Sequence, residues 1–142
     1  MKKQAKVLIV DDEPDILLLL RIDLEAEGYD TYLAADGETA LRRIVEERPD
    51  VVLLDVMMPV IDGWGVLRRL HEMGHPTRVV VLSAKAADHD AVKALELGAL
   101  EYVTKPFDPI ALLLTVNHVL VSSAADLEAG RQRRLQQLAP TG

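Results

Sequence analysis

Short apolar runs alternate with longer helical patterns along this chain. Val7–Val10, Val51–Leu54 and Val79–Leu82 are runs of four apolar residues, closed by Asp11, Asp55 and Ser83. Runs rich in β-branched residues and bounded in this way predict strands buried on both faces of a parallel sheet. Thr31–Leu33 and Glu101–Thr104 are weaker runs and predict strands nearer the sheet edges. Between them the pattern predicts helices over Pro14–Glu27, Gly37–Glu47, Trp64–Met73, Asp88–Leu97 and Pro109–Val121. Pro14 suits a first helical turn, Asp88 an N-cap, and Gly28, Gly74 and Gly98 helix ends. Pro49 ends the second helix. The alternation predicts an α/β domain with right-handed crossovers and helices on both faces of the sheet.

After Val121 the composition changes. Residues 122–142 are polar and rich in Ala, Arg and Gln. They read as an extension of the fifth helix with Gly130 as its weak point, as a frayed tail, or as a linker to a further domain. The domain proper is taken as residues 1–121. Arg131, Arg133 and Arg134 are offset by Asp126 and Glu128, so a solvated helix face is expected rather than a nucleic-acid patch.

Composition narrows the function classes. The 142 residues make about one domain, and 49% apolar with 27% charged residues describes a chain that folds. The net charge of −7 argues against nucleic acid or an anionic membrane as partner. There is no cysteine, which excludes disulfides and thiolate chemistry. No apolar run exceeds five residues, so nothing in the sequence reads as a membrane span. The chain is expected to be soluble and cytoplasmic. His71, His75, His89 and His118 lack metal-ligand spacing and are expected at the surface.

The chemistry gathers at the strand ends. Strand one ends at Asp11-Asp12, strand three at Asp55, strand four at Ser83 and strand five at Lys105. Ligands of open α/β sheets bind beyond the carboxyl ends of strands at the topological switch point. In the 2-1-3-4-5 strand order that point lies between strands one and three, which carry the three aspartates. Converging carboxylates repel one another, and a divalent cation relieves the repulsion. Oxygen-only ligands favour Mg²⁺ or Mn²⁺ over Zn²⁺. A carboxylate can attack phosphorus to form an acyl phosphate, with metal and lysine neutralising the phosphoryl oxygens. Singly, each residue also fits turn or cap chemistry; the full set is what points to phosphoryl transfer.

These residues carry a family resemblance. Val10-Asp11-Asp12-Glu13, Asp55-Val56-Met57-Met58-Pro59, Asp62-Gly63, Ser83-Ala84 and Tyr102-Val103-Thr104-Lys105-Pro106-Phe107 resemble the motifs of response regulator receiver domains of the chemotaxis-regulator type. The resemblance runs from about Lys6 to Val121. It implies a flavodoxin-like doubly wound (βα)5 sandwich with strand order 2-1-3-4-5. It implies that Asp55 takes a phosphoryl group from a sensor histidine kinase or a histidine phosphotransfer protein, in a signalling switch rather than a metabolic enzyme. Asp12 and Asp55 would hold Mg²⁺, or Mn²⁺, with Asp11 close by and the Met57 backbone carbonyl as a further ligand. Lys105 would pair with the phosphoryl group, Ser83 would turn its hydroxyl toward it, and Tyr102 would swing inward. Pro59 and Gly63 are structural in this reading, Gly63 for its backbone angles, and the Lys105–Pro106 peptide is expected to be cis. Met57 and Lys85 occupy positions that tune the phosphoryl lifetime in such domains.

The resemblance also suggests surfaces. Ile16–Leu20 and Ile110–Leu114 make helices one and five unusually apolar, so some of these residues should be exposed. Helices one and five are expected side by side, as a docking face for the kinase or phosphotransferase. Receivers attached to winged-helix DNA-binding domains often dimerise on phosphorylation through helix four, strand five and helix five. Lys93, Glu96 and Glu101 fit such a charge network, but helix five has Thr115, Asn117 and His118 where charge is expected. Two rival readings fit the residues less well. An aspartyl-phosphate phosphatase would carry its second acid two residues after the nucleophile, and Asp55-Val56-Met57 lacks it. A pseudo-receiver would lack part of the intact set Asp11, Asp12, Asp55, Ser83 and Lys105.

Overall fold

The computed structural model describes residues 4–58, 62–85 and 87–138. Five parallel strands, β1 (Lys6–Val10), β2 (Asp30–Ala34), β3 (Val51–Asp55), β4 (Arg78–Ser83) and β5 (Glu101–Thr104), form one sheet in the order β2-β1-β3-β4-β5. They alternate with helices α1 (Pro14–Ala26), α2 (Gly37–Glu47), α3 (Gly63–Met73), α4 (Asp88–Glu96) and α5 (Pro109–Val121). A sixth helix, α6 (Ala124–Leu138), follows. The flavodoxin-like order expected from the sequence is therefore present.

The period-two pleat divides the core into two layers. Leu8, Val10, Val52, Leu54, Val79 and Val81 face α2, α3 and α4. Val7, Ile9, Val51, Leu53, Val80 and Leu82 face α1 and α5. Both sets are buried, which is why these strands read as continuous apolar runs. β2 and β5 lie at the edges and are less buried, as their weaker runs imply.

Helix starts follow the local chemistry. Asp36, Asp62 and Asp108 cap α2, α3 and α5, accepting from the backbone N–H of Thr39, Gly65 and Ile110. The expected cap at Asp88 is corrected. Ala87 holds the extended N-cap conformation without a side-chain bond, and Asp88 and Asp90 lie inside the first turn, where they complement the helix dipole. α2 ends on Arg48 in left-handed backbone at φ 50°, directly before Pro49.

Beyond α5 the described residues form a separate helix. The chain breaks at Ser122, which is extended, and α6 packs beside α4. Gly130 lies within α6 and does not break it. The expected solvated face holds for Arg133, which is exposed, and is corrected for Arg131 and Arg134. Arg131 Nη1 donates to the Leu95 carbonyl at 2.5 Å, and Arg134 Nη1 pairs with Glu101 at 2.9 Å. Among the histidines, His71, His89 and His118 are exposed, while His75 is half-buried and accepts from the Thr77 N–H at 3.1 Å.

Candidate functional site: an acidic cluster at the carboxyl edge

β1 and β3 are adjacent and end together, with Val10 beside Leu54. Their registers bring Asp11, Asp12 and Asp55 to one point, with carboxylate oxygens within 4.8 Å of one another. Asp11 and Asp55 are buried, at 0% and 3% exposure, and Asp12 is exposed. Two buried acids beside a third form an unusual concentration of negative charge.

Lys105 is the counter-charge. Its Nζ lies 2.6 Å from Asp11 Oδ2, 3.4 Å from Asp55 Oδ2 and 3.8 Å from Glu13 Oε1. Burial alone would lower the ammonium pKa. The hydrogen bond and charge of Asp11, joined by those of Asp55, outweigh burial, and the Lys105 pKa is raised. The Asp55 pKa is also raised. Burial is the largest cause and the Asp11 charge adds to it, opposed by the Met57 N–H and by Lys105. One ammonium does not balance three carboxylates. The donor set is all oxygen, part buried and part open, and it fits a hard divalent cation.

Backbone bonds hold these groups in place. Asp55 Oδ1 accepts from the Met57 N–H at 2.9 Å, which leaves Oδ2 toward Lys105. Asp11 Oδ1 accepts from the Glu13 N–H at 2.9 Å. Lys105 N donates to the Ser83 carbonyl at 2.8 Å, and the Lys105–Pro106 peptide is cis. Ser83 is buried, its Oγ accepting from the Lys85 N–H at 3.1 Å. Tyr102 is buried as well, its hydroxyl donating to the Lys85 carbonyl at 2.6 Å. All the predicted site residues thus meet at one edge, except Pro59, which lies outside the described residues. Two contributors were not read from the sequence: the Glu13 carboxylate near Lys105 and the Met57 N–H on Asp55. No side-chain pattern signals a backbone donor.

The role expected for Gly63 is corrected in its cause. Its backbone is not in the left-handed region. Instead, a Cβ there would lie 2.2 Å from the Asp55 carbonyl oxygen and 2.3 Å from Val56 Cα. The start of α3 runs against the strand end that carries Asp55, and only glycine leaves room.

A sequence model described as the response regulator receiver domain matches residues 7–117. The chain is a response regulator receiver domain. It is 44% identical over 115 residues to the alkaline phosphatase synthesis transcriptional regulatory protein PhoP of Bacillus subtilis. That match takes in 81% of this receiver and 48% of PhoP, so the chain spans about half the length of that relative. The Francisella response regulator 1452 receiver domain superposes with a TM-score of 0.79 at 35% identity, covering 82% of this chain and 97% of that one. A CheY-like receiver domain protein from Methanospirillum hungatei JF-1 gives a TM-score of 0.77 at 27% identity, covering 92% and 99%. Receivers of this family are phosphoacceptor signalling domains of two-component systems, which implies a histidine kinase partner. Among the described residues, no helix is long and apolar enough to cross a membrane.

Proposed function

We propose that Asp55 is the phosphoacceptor of this receiver and that Asp11, Asp12 and the Met57 carbonyl join it in holding Mg²⁺, or Mn²⁺ in its place. The observation that carries this reading is the convergence of the Asp11, Asp12 and Asp55 carboxylates, with the Lys105 ammonium paired to two of them. When bound, the cation neutralises charge on the phosphoryl oxygens. The Asp55 carboxylate attacks phosphorus, forming an O–P bond as the P–N bond of a phosphohistidine breaks. The imidazole leaves with the electron pair. Lys105 stabilises the phosphoryl oxygens electrostatically, and the Ser83 hydroxyl donates a hydrogen bond to one of them. Tyr102 then holds the segment that Ser83 has moved. Hydrolysis of the acyl phosphate by water returns the carboxylate and releases inorganic phosphate, the only turnover this reading assigns to the domain.

The kinase or phosphotransfer protein docks, in this reading, on the α1–α5 face. These helices pack together, and Leu18, Ile22, Ile110 and Leu114 lie there more than half exposed. The relative named as a transcriptional regulatory protein supports an output in gene regulation, carried by segments other than this receiver. Self-association on phosphorylation and a cytoplasmic location belong to the same proposal.

The test is intact-mass measurement after incubation with acetyl phosphate and Mg²⁺. The wild-type chain should gain one phosphoryl group and Asp55→Asn none. Equal labelling of both would overturn the assignment.

A further inference from the structure

β5 pairs with β4 on one side only, so its other edge carries unpaired backbone groups of the kind folded proteins cover. Helix α6 packs on α4 and meets this edge at its start, Glu101. Near its start, Leu127 is buried in the layer under α1 and α5; at its end, Leu138 packs on the layer under α2, α3 and α4. Leu127, Arg131, Arg134 and Leu138 fall at i, i+4, i+7 and i+11, a single helical stripe. The two arginines are the polar anchors. Arg131 reaches the Leu95 carbonyl in the last turn of α4, and Arg134 reaches Glu101 at the start of β5. Glu128 grips the Arg131 guanidinium through two contacts, of 2.9 and 2.6 Å.

The attachment is slight. Leu127 is the one buried residue of the fifteen in α6, whereas α5 buries Leu112, Val116 and Val119 among thirteen. A groove of about 400 Å³ remains between Glu101 and Val119 on one wall and Leu127 and Arg134 on the other. Elements with few buried apolar contacts open at low free energy.

Both anchors sit beside residues that are bonded or packed toward the acidic site. Glu101 directly precedes Tyr102, whose hydroxyl holds the Lys85 carbonyl two residues beyond Ser83. Leu95 lies in the last turn of α4, whose Ala91 and Ala94 share a packing cluster with Tyr102. Ser83 is bonded in turn to the backbone N–H of Lys105.

We propose that α6 is a releasable clasp on the β5 edge and the end of α4, and that phosphorylation of Asp55 loosens it. This rests on the reading of Asp55 given above. Docked, α6 denies that surface to a partner; released, it uncovers the start of β5 and the α4 end together. The coupling is reciprocal, so a chain with a weakened clasp binds a phosphoryl mimic more tightly.

Hydrogen exchange on the full chain in Mg²⁺, with and without beryllofluoride, tests the clasp. Trp64, the single tryptophan and the neighbour of Gly63, reports mimic binding by fluorescence. The mimic should speed exchange of α6 amides by about tenfold or more while β1 and β3 stay protected. Arg131→Ala with Arg134→Ala should bind the mimic about fivefold more tightly than wild type, and Arg134→Ala alone should shift in the same direction. A merely structural role for the arginines would leave mimic affinity unmoved. Bound mimic with unchanged α6 protection, or unchanged affinity in the variants, overturns the clasp and spares the Asp55 reading. No mimic binding, together with no phosphoryl label, overturns both.

Discussion

The carboxyl edge and the β5 edge of the sheet both gather charge, but they do so in opposite ways. At the carboxyl edge the charges are mostly of one sign, and the two buried ones, Asp11 and Asp55, share one lysine. At the β5 edge they are matched: Arg134 pairs with Glu101, both partly open, and Arg131 pairs with Glu128 within α6. The first arrangement costs the resting fold stability and leaves an attraction for cation and phosphoryl unsatisfied. The second is close to neutral and can be opened cheaply. On the proposed reading, function sits where charge is left unbalanced, and the clasp attaches where charge is balanced.

The largest expected effect comes from removing the ammonium paired with the buried aspartates. Lys105→Met should destabilise the metal-free chain by about 3–5 kcal/mol, the usual cost of stripping a buried charge of its partner. Urea denaturation measures it, and a loss under about 1 kcal/mol would break the contrast with exposed pairs. Gly63→Ala comes next. Its methyl group would press on the backbone of Asp55 and Val56, at a cost of about 1–3 kcal/mol for overpacking, with weaker phosphoryl labelling as Asp55 shifts. Labelling at the wild-type rate would show that the strand end yields without moving the carboxylate. The smallest effect belongs to the β5 edge. Arg134→Ala should change global stability by less than about 1 kcal/mol, since its ion pair is partly exposed.

The two edges also differed in how far the sequence revealed them. Strands and helices were legible because buried parallel strands leave unbroken β-branched runs and α1 to α4 stop beside Gly or Pro. The acidic site was legible because its side chains follow those runs directly. The reason for Gly63 was not, since it depends on the approach of α3 to β3, a tertiary distance rather than a local angle. The N-cap at Ala87 was hidden because the neighbouring Asp88 is the better capping residue by type, and tertiary placement overrode it. The docking of α6 was missed because its stripe is half arginine. The spacing of Leu127, Arg131, Arg134 and Leu138 was readable, but an apolar search does not count arginines as attachment.

The central claim is that buried like charge at the carboxyl edge is what draws the cation. The raised pKa of Asp55 gives the sign. The folded chain holds the Asp55 proton more tightly than the unfolded chain does. Ionising this group therefore costs stability as pH rises from the ordinary carboxylate value through the raised folded value. The direct measurement is thermal unfolding of wild type and Asp55→Asn, in chelator and in Mg²⁺, from pH 4 to pH 8. In chelator near neutral pH, Asp55→Asn should melt above wild type, with the gap closing as the pH is lowered. Mg²⁺ should raise the wild-type melting temperature and the variant's far less. An Asp55→Asn chain that melts below wild type in chelator, or gains as much from Mg²⁺, would contradict the account.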